Sequence, residues 1–257
     1  VTMSKPSAAV ILIGDELLSG RTRDINLKQI ADYLAPLGIP VKTCRIVGDE
    51  QADIVAAVNA LRHQYTYVFT TGGIGPTHDD ITADAIGAAF DVAVEEHPGA
   101  VEELGAYYKN LGRDFTMPRR RMTRVPVGAS LIKNPVSVAP GFQTGNVFTL
   151  AGVPSIVRAM LEDVGHRLES GAVVHSVTVR GAGGQEGSIA IPLGELADQE
   201  DQVSLGSYPW FKSVDDHGVS LVARSTDKAA LGRVEGKLVA LFEALGIEAS
   251  VLTGEEA

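Results

Sequence analysis

Between Tyr67 and Asp84 the chain reads YVFTTGGIGPTHDDITAD, and few local structures accept such a run. An apolar strand (Tyr67, Val68, Phe69) leads into two threonines and breaks at Gly72-Gly73, then again at Gly75-Pro76. After His78-Asp79-Asp80, apolar residues return at helical spacing: Ile81, Ala85, Ile86, Ala89, Phe90. A strand, a glycine-rich turn and a helix start in that order make an oxyanion cradle. Glycines let backbone N–H groups approach a ligand closely, and the free N–H groups of a helix start favour negative charge. Asp79 and Asp80, however, stand where a phosphate would sit, and bare carboxylates repel it unless a divalent cation lies between. A tight β–α turn with Asp80 as helix N-cap is the competing reading. No Gly-Lys-Ser/Thr follows the glycines, so this is not a Walker loop.

The flanking segments supply the frame. Ala8–Ile13 is a continuous apolar run, as a strand buried on both faces requires, and Gly14-Asp15-Glu16 follows it. A helix pattern from Asp24 (Ile30, Leu34, Leu37) ends at Pro36-Leu37-Gly38. Val41–Val47 reads as a second strand with Gly48-Asp49-Glu50 at its end, then a helix over Ile54, Val55, Val58 and Leu61. Strands alternating with helices imply parallel pairing and an open three-layer α/β sheet. All three strands end in carboxylates: Asp15 and Glu16, Asp49 and Glu50, Asp79 and Asp80. Ligands of open α/β sheets bind beyond the carboxyl ends of the strands, so the three clusters should face one crevice. Each alone is an ordinary helix-start residue favoured by the dipole; together, beside a glycine loop, they point to a shared metal and phosphate site.

Further along, Pro98–Leu111 reads as a helix. Arg119-Arg120-Arg121, with Arg124, is either a solvated basic face or a phosphate receiver. Val125–Gly128, Val136–Pro140 and Asn146–Leu150 read as short strands separated by turns, and Pro154 opens a helix through Ile156, Met160 and Val164. After about Leu168 the pattern changes to β-α-β-β-α-β: strands at Val173–Val179, Val203–Tyr208, Val219–Arg224 and Glu248–Leu252, helices at Glu186–Leu196 and Leu231–Leu245. This is the split βαβ, ferredoxin-like order, with Pro209–Gly218 expected as a loop. The expected division is residues 1–168 and 169–257.

Composition narrows the function classes. A net charge of −10 argues against a general nucleic-acid or membrane binder and suits cation-assisted handling of a small anion. One cysteine, Cys44, excludes an intramolecular disulfide; lying in an apolar strand pattern, it reads as a packed thiol. Val1–Pro6 lacks a signal-peptide layout, and no apolar run reaches the ~18 residues of a membrane span, so a cytoplasmic protein is expected. The alternating Val174, Val177, Val179 and Val219, Leu221 would leave a sheet face to bury, for which a homodimer is the expected closure.

Four segments resemble the molybdopterin-binding (MoaB/Mog-like) superfamily, and most closely the N-terminal part of CinA-type competence/damage-inducible proteins and the related domain of eukaryotic FAD synthetases. They are Gly14–Gly20 with Asn26, Thr70–Thr82, Asn134–Phe142 and Ala151–Met160; Gly206–Pro209 and the ferredoxin-like tail extend the likeness over nearly the whole chain. The resemblance stops where the amidohydrolase domain of full-length CinA would begin, so nicotinamide mononucleotide deamidation is not expected. It implies either molybdopterin binding and adenylylation or a metal-dependent pyrophosphatase acting on ADP-ribose or FAD-like dinucleotides. It also implies roles. Asp49 and Asp80 match the acidic positions of the Mog-like reaction, and Asp15 and Glu16 the first acidic motif. Gly72, Gly73, Gly75 and Thr77 match the phosphate loop, and Asn134, Pro140 and Gly141 the later pocket wall. The basic stretch before Val125 departs from the family, where a Gln-Ala pair is usual.

The expectation is therefore a hydrolase of a nucleotide pyrophosphate dependent on Mg, Mn or Co. Asp80, Asp49 and Asp15 are the catalytic candidates, and Asp79, Asp80, Asp15 and Glu16 the metal candidates. Thr71, Gly72, Gly73, Gly75, Thr77, Asn134, Pro140 and Gly141 would bind the ligand. The alternative is a protein that binds molybdopterin or a nucleotide without turnover. In either case the partner is a nucleotide diphosphate or a pterin, with neither nucleic acid nor membrane.

Overall fold

A computed structural model describes residues 5–214 and 216–252 and divides the chain into two units, Val1–Gly171 and Ala172–Ala257. The first unit begins with β1 (Ala8–Ile13), α1 (Asp15–Leu18), α2 (Asn26–Leu34), β2 (Val41–Val47), α3 (Gln51–Arg62), β3 (Tyr67–Thr71) and α4 (Thr82–Phe90). It continues with β4 (Val94–Glu96), α5 (Pro98–Asn110), α6 (Met117–Arg121), β5 (Arg124–Pro126), β6 (Ser130–Ile132), β7 (Gly141–Thr144), β8 (Val147–Leu150) and α7 (Pro154–Val164).

Six strands form one sheet in the order β2-β1-β3-β8-β7-β6. β2, β1, β3 and β8 are parallel, whereas β7 and β6 run antiparallel at one edge. The uninterrupted apolar run of β1 has a direct cause, since both faces of the strand are covered. Ala8, Val10 and Leu12 pack with Ile30 and Leu34 of α2 and Val157, Met160 and Leu161 of α7. Ala9, Ile11 and Ile13 pack with Ile54 and Val58 of α3 and Ala85 and Ile86 of α4. Each fully buried Val, Leu, Ile or Met side chain among them contributes about 1.5–3 kcal/mol. Phe69 and Phe148 face each other across β3 and β8 and stack at 5.1 Å. Cys44 on edge strand β2 is half-buried against the first of these layers. Burial, with the nearby Asp24 charge, pushes its thiol up to about 11, so the packed, unreactive reading stands.

From β1 the chain crosses to β2 on one side, and from β2 it returns past β1 to β3 on the other. The sheet order therefore reverses between β1 and β3, which makes their carboxyl ends the topological switch point.

The second unit contains β9 (His175–Ala182), α8 (Glu186–Gln199), β10 (Ser204–Ser213), β11 (Asp216–Ser225), α9 (Lys228–Ala244) and β12 (Ala249–Leu252). Its antiparallel sheet has the order β10-β11-β9-β12, the ferredoxin-like arrangement. Val179, Val219, Leu221 and Ala223 are buried under Ile189 of α8 and Val234, Leu238 and Phe242 of α9. Of the apolar alternation expected here, Val179, Val219 and Leu221 are buried within the unit and Val177 packs against them, whereas Val174 is 47% exposed.

Two local expectations are corrected. Residues 136–140 are turns, not a strand, because the Asn134 side chain organises them. Residues 209–213 and 216–218 are strand, not loop: β10 is an edge strand, where Pro209 gives up no needed donor. β4, β6 and β7 carry too few residues to show a period.

Candidate functional site

A cavity of about 510 Å³ opens at the switch point. The ends of β1 (Ile13, Gly14), β3 (Gly72, Gly73) and β8 (Ala151, Gly152) form its floor, and Pro154 at the start of α7 borders it. The positive end of that helix dipole favours an anion there. Four carboxylate residues line the same cavity: Glu16, Asp49, Asp79 and Asp80.

Tight packing dictates the glycines. Gly72 and Gly73 have φ of 101° and 66°, in the left-handed region. A Cβ on Gly72 would meet the Ile13 carbonyl oxygen, and one on Gly73 the Thr82 hydroxyl. That hydroxyl is fully buried and donates to the Gly72 carbonyl at 2.9 Å. Thr82 N donates to the Gly73 carbonyl at 2.9 Å, so the leading amide of α4 belongs to the loop itself.

The carboxylates play different parts. Asp15 and Asp49 form a reciprocal clasp: Asp15 N donates to Asp49 Oδ2 at 3.0 Å, and Asp49 N to Asp15 Oδ1 at 3.3 Å. The clasp ties the end of β1 to the end of β2 and turns the Asp15 side chain toward Gly48, so Asp15 does not line the cavity. Asp49 does. Burial raises its pKa, the Asp15 amide opposes the rise, and repulsion from Asp15, Glu16 and Asp79 adds to it. Asp80 is no helix cap. Its Oδ2 accepts from Thr77 N at 2.8 Å and Thr77 Oγ1 at 2.6 Å, closing the loop, while Ile81 precedes α4 with no side-chain cap. Asp79 is held below the ordinary carboxylate range by the neighbouring Thr77 hydroxyl and its own backbone. Thr77 lies on the outer side of the loop, while Thr71 and Gly141 are buried and do not line the cavity.

Asn134 and Pro140 line the opposite wall. The Asn134 oxygen accepts from Val136 N (3.0 Å) and Ser137 N (3.2 Å), and its Nδ2 donates to Ser137 Oγ (2.6 Å) and the Ala139 carbonyl (2.8 Å). Asn134 therefore shapes the wall rather than offering free polar groups. It holds Val138 at φ 65°, a strained conformation for a β-branched residue.

The basic run is internally paired. Arg119 donates to the Asp114 carbonyl and stacks over Tyr108, and Arg120 pairs with Glu96. Arg121 donates to the Asp80 carbonyl at 3.0 Å and lies 3.6 Å from Asp84. Arg124 grips Asp84 with two bonds, of 2.6 and 3.1 Å. Neither a free phosphate receiver nor a solvated face describes them; they brace the acidic loop from behind.

Sequence reasoning missed Met122, Ser137 and Val153 as lining residues. It also gave no role to Asn26, whose Nδ2 donates to the Gly152 carbonyl at 2.8 Å and fixes the β8–α7 turn. Ala151-Gly152-Val153-Pro154, following a buried strand, was the available signal.

Among the described residues no three His, Cys, Asp or Glu side chains converge as a preformed metal cluster. The donor set still fits a hard cation of the Mg²⁺ class, which takes one or two carboxylates and completes its shell with water and substrate phosphate.

Such a cavity, at the switch point of a mostly parallel sheet, defines a small-ligand-binding α/β domain. The chain belongs to the family described as a probable molybdopterin binding domain, whose model matches residues 9–170; residues 174–250 match the FAD synthase middle domain. A protein of Aeropyrum pernix is 35% identical over 214 residues, 79% of each chain. A CinA-like protein of Synechococcus sp. (strain CC9902) is 33% identical over 208 residues, covering 76% of this chain and 49% of that one. One from Parasynechococcus marenigrum is 35% identical over 165 residues, 62% of this chain and 39% of its own. The chain thus spans two-fifths to a half of these CinA-like relatives. The crystal structure of CinA from Thermoplasma acidophilum, of unknown function, matches with a TM-score of 0.58 at 30% identity, over 63% of this chain and 98% of that one.

Proposed function

We propose that the cavity binds a nucleotide diphosphate and hydrolyses its pyrophosphate bond with a divalent cation. One observation carries this reading: the loop residues Gly73, Ile74 and Gly75 and the carboxylate residues Glu16, Asp49, Asp79 and Asp80 share a single cavity. The glycine loop alone would hold a phosphate, and the carboxylates alone would repel it. Their union makes sense for an anion that arrives with a cation. Asp79 and Asp80, with Glu16, would hold that ion; when bound it neutralises the diphosphate.

The chain's own residues do the rest. The loop from Gly73 to Gly75 orients the phosphates, the Gly72 amide being spent on the Leu150 carbonyl. The Asp49 carboxylate accepts a proton from water, whose oxygen bonds to one phosphorus as the bridging P–O bond breaks, leaving AMP and a second phosphate-bearing product. A carboxylate with a raised pKa is a better base than an ordinary one. Asp80 holds the loop through Thr77, a geometry that asparagine can reproduce.

Incubation of ADP-ribose, FAD or NADH with Mg²⁺, Mn²⁺ or Co²⁺ is expected to release AMP. Asp80→Asn should keep the melting temperature within a few degrees and lose on the order of 10²-fold or more in turnover. A folded sample that binds nucleotide or pterin but releases no AMP with any metal overturns the hydrolytic reading. A control variant should lie away from the cavity and its braces, which rules out Asp84, paired with Arg124 and Arg121. Exposed Glu102 on α5 does not line the cavity, and Glu102→Gln should keep parental turnover.

A further inference from the structure

We propose that the uncovered sheet face of the second unit is a separate binding site for a small free nucleotide, which stacks its base beside Trp210 and sets its phosphate on Arg224. The two faces of this sheet are unlike. One is apolar and lies under α8 and α9. The other presents alternate residues of three strands: Thr178 and Arg180 from β9, Tyr208 and Trp210 from β10, Ser220 and Arg224 from β11. They line an open depression of about 510 Å³.

Its chemistry is that of a nucleotide receiver. The Arg180 guanidinium stacks 3.6 Å above the Trp210 ring. Trp210 itself lies flat because its register partner is Gly218, where a Cβ would come within 2.8 Å of the indole. The result is a planar, polarisable ledge of the kind on which bases stack. At the other end Arg224 donates to the Tyr208 hydroxyl at 3.2 Å, keeping further donors for an anion. Ser220, paired across the strands with both Tyr208 and Arg180, stands between the two ends, where a ribose would lie. Lys212 adds a third positive charge, 3.7 Å from Asp216.

None of the described residues lining the depression carries a carboxylate, in a chain of net charge −10; Asp216, on the same face of β11, is paired with Lys212. That contrast selects the occupant. Screening confines the local cations to about 8 Å, enough for one or two phosphates. A long nucleic acid would also meet the acidic remainder of the molecule. The fit is therefore a mononucleotide, and it does not depend on the reading of the acidic cavity.

Trp210 is the chain's single tryptophan, so its fluorescence reports this face alone. In the full chain, AMP is expected to change that emission saturably, and to shift the single indole N–H resonance in a nuclear magnetic resonance titration. Excitation at the red edge of indole absorption avoids adenine. Adenosine and inorganic phosphate should each bind more weakly than AMP. Arg224→Ala should weaken AMP about tenfold and adenosine little, while Asp80→Asn leaves the Trp210 response unchanged. Silence of both signals overturns the proposal. So does AMP binding at parental strength in both Arg224→Ala and Arg180→Ala. Tighter binding of a single-stranded oligonucleotide than of AMP would hand the face to nucleic acid and overturn it too.

Discussion

At the scale of single residues, Asp49 is a carboxylate whose charge the native state disfavours. Burial raises its pKa, and three neighbouring carboxylates push in the same direction. A raised carboxyl pKa means that the folded protein binds this proton more tightly than the unfolded chain. Stability is therefore lost as pH rises from the ordinary carboxylate range through the folded value, and regained as pH falls back. At neutral pH the charge is present and its cost is complete. Asp49→Asn removes that cost and keeps an acceptor for the Asp15 amide. The variant should melt at or above the parent at neutral pH, and the difference should fade toward acid. Turnover of ADP-ribose should nevertheless fall on the order of 10²-fold, the scale of a lost general base. In the parent, the rate should fall toward acid as Asp49 takes up a proton, since it must be ionised to accept one. Melting curves and rate profiles across pH check both signs; a variant that is less stable at neutral pH yet fully active would contradict the assignment.

At the scale of elements, the wall turn after β6 separates what a sequence reveals from what it hides. The β1 run and the glycine loop were legible because their causes are local: burial on both faces of a strand, and backbone angles that only glycine adopts without strain. The segment 136–140 was misread because valines and a proline mimic a strand there, whereas one buried amide with four hydrogen bonds decides its path. The arginine run failed for a related reason. Its carboxylate partners, Glu96 and Asp84, lie 24 and 40 residues away, beyond any local pattern. The acidic strand ends were found, but only three-dimensional packing shows that Asp15 turns to the β1–β2 clasp while Asp49 faces the cavity. Asn134→Ala should release the wall. Losing four hydrogen bonds around a strained Val138 should cost roughly 2–4 kcal/mol, given about 1 kcal/mol for each bond and partial relief of the strain. Nucleotide affinity should fall with it, measured by denaturant unfolding and ligand titration. Unchanged stability would mean that the turn holds its shape without the amide.

At the scale of the whole molecule, the two units carry separate cores. The two apolar clusters of the first draw on residues between Ala8 and Leu168, and that of the second on residues between Val177 and Ala249. Every residue lining the acidic cavity lies between Ile13 and Ile156. A chain ending at Gly171 should therefore fold alone and keep both the cavity and any AMP-releasing activity. The end point matters. Glu169 N donates to the Tyr67 hydroxyl at 2.8 Å, and Gly171 N to the Leu37 carbonyl at 2.8 Å; both bonds pin the last segment onto the first unit. A chain ending at Leu168 loses both. At about 1 kcal/mol per bond it should be roughly 2 kcal/mol less stable than the chain ending at Gly171, which for a domain of this size is about 4–8 °C in melting temperature. Both fragments should bind nucleotide at the acidic cavity, and neither should carry the tryptophan signal of the second unit. Calorimetric melting of the two fragments side by side checks the difference. Equal melting temperatures would show that the segment after Leu168 adds nothing to the first core, and an unfolded 1–171 fragment would show that the first unit does not fold alone.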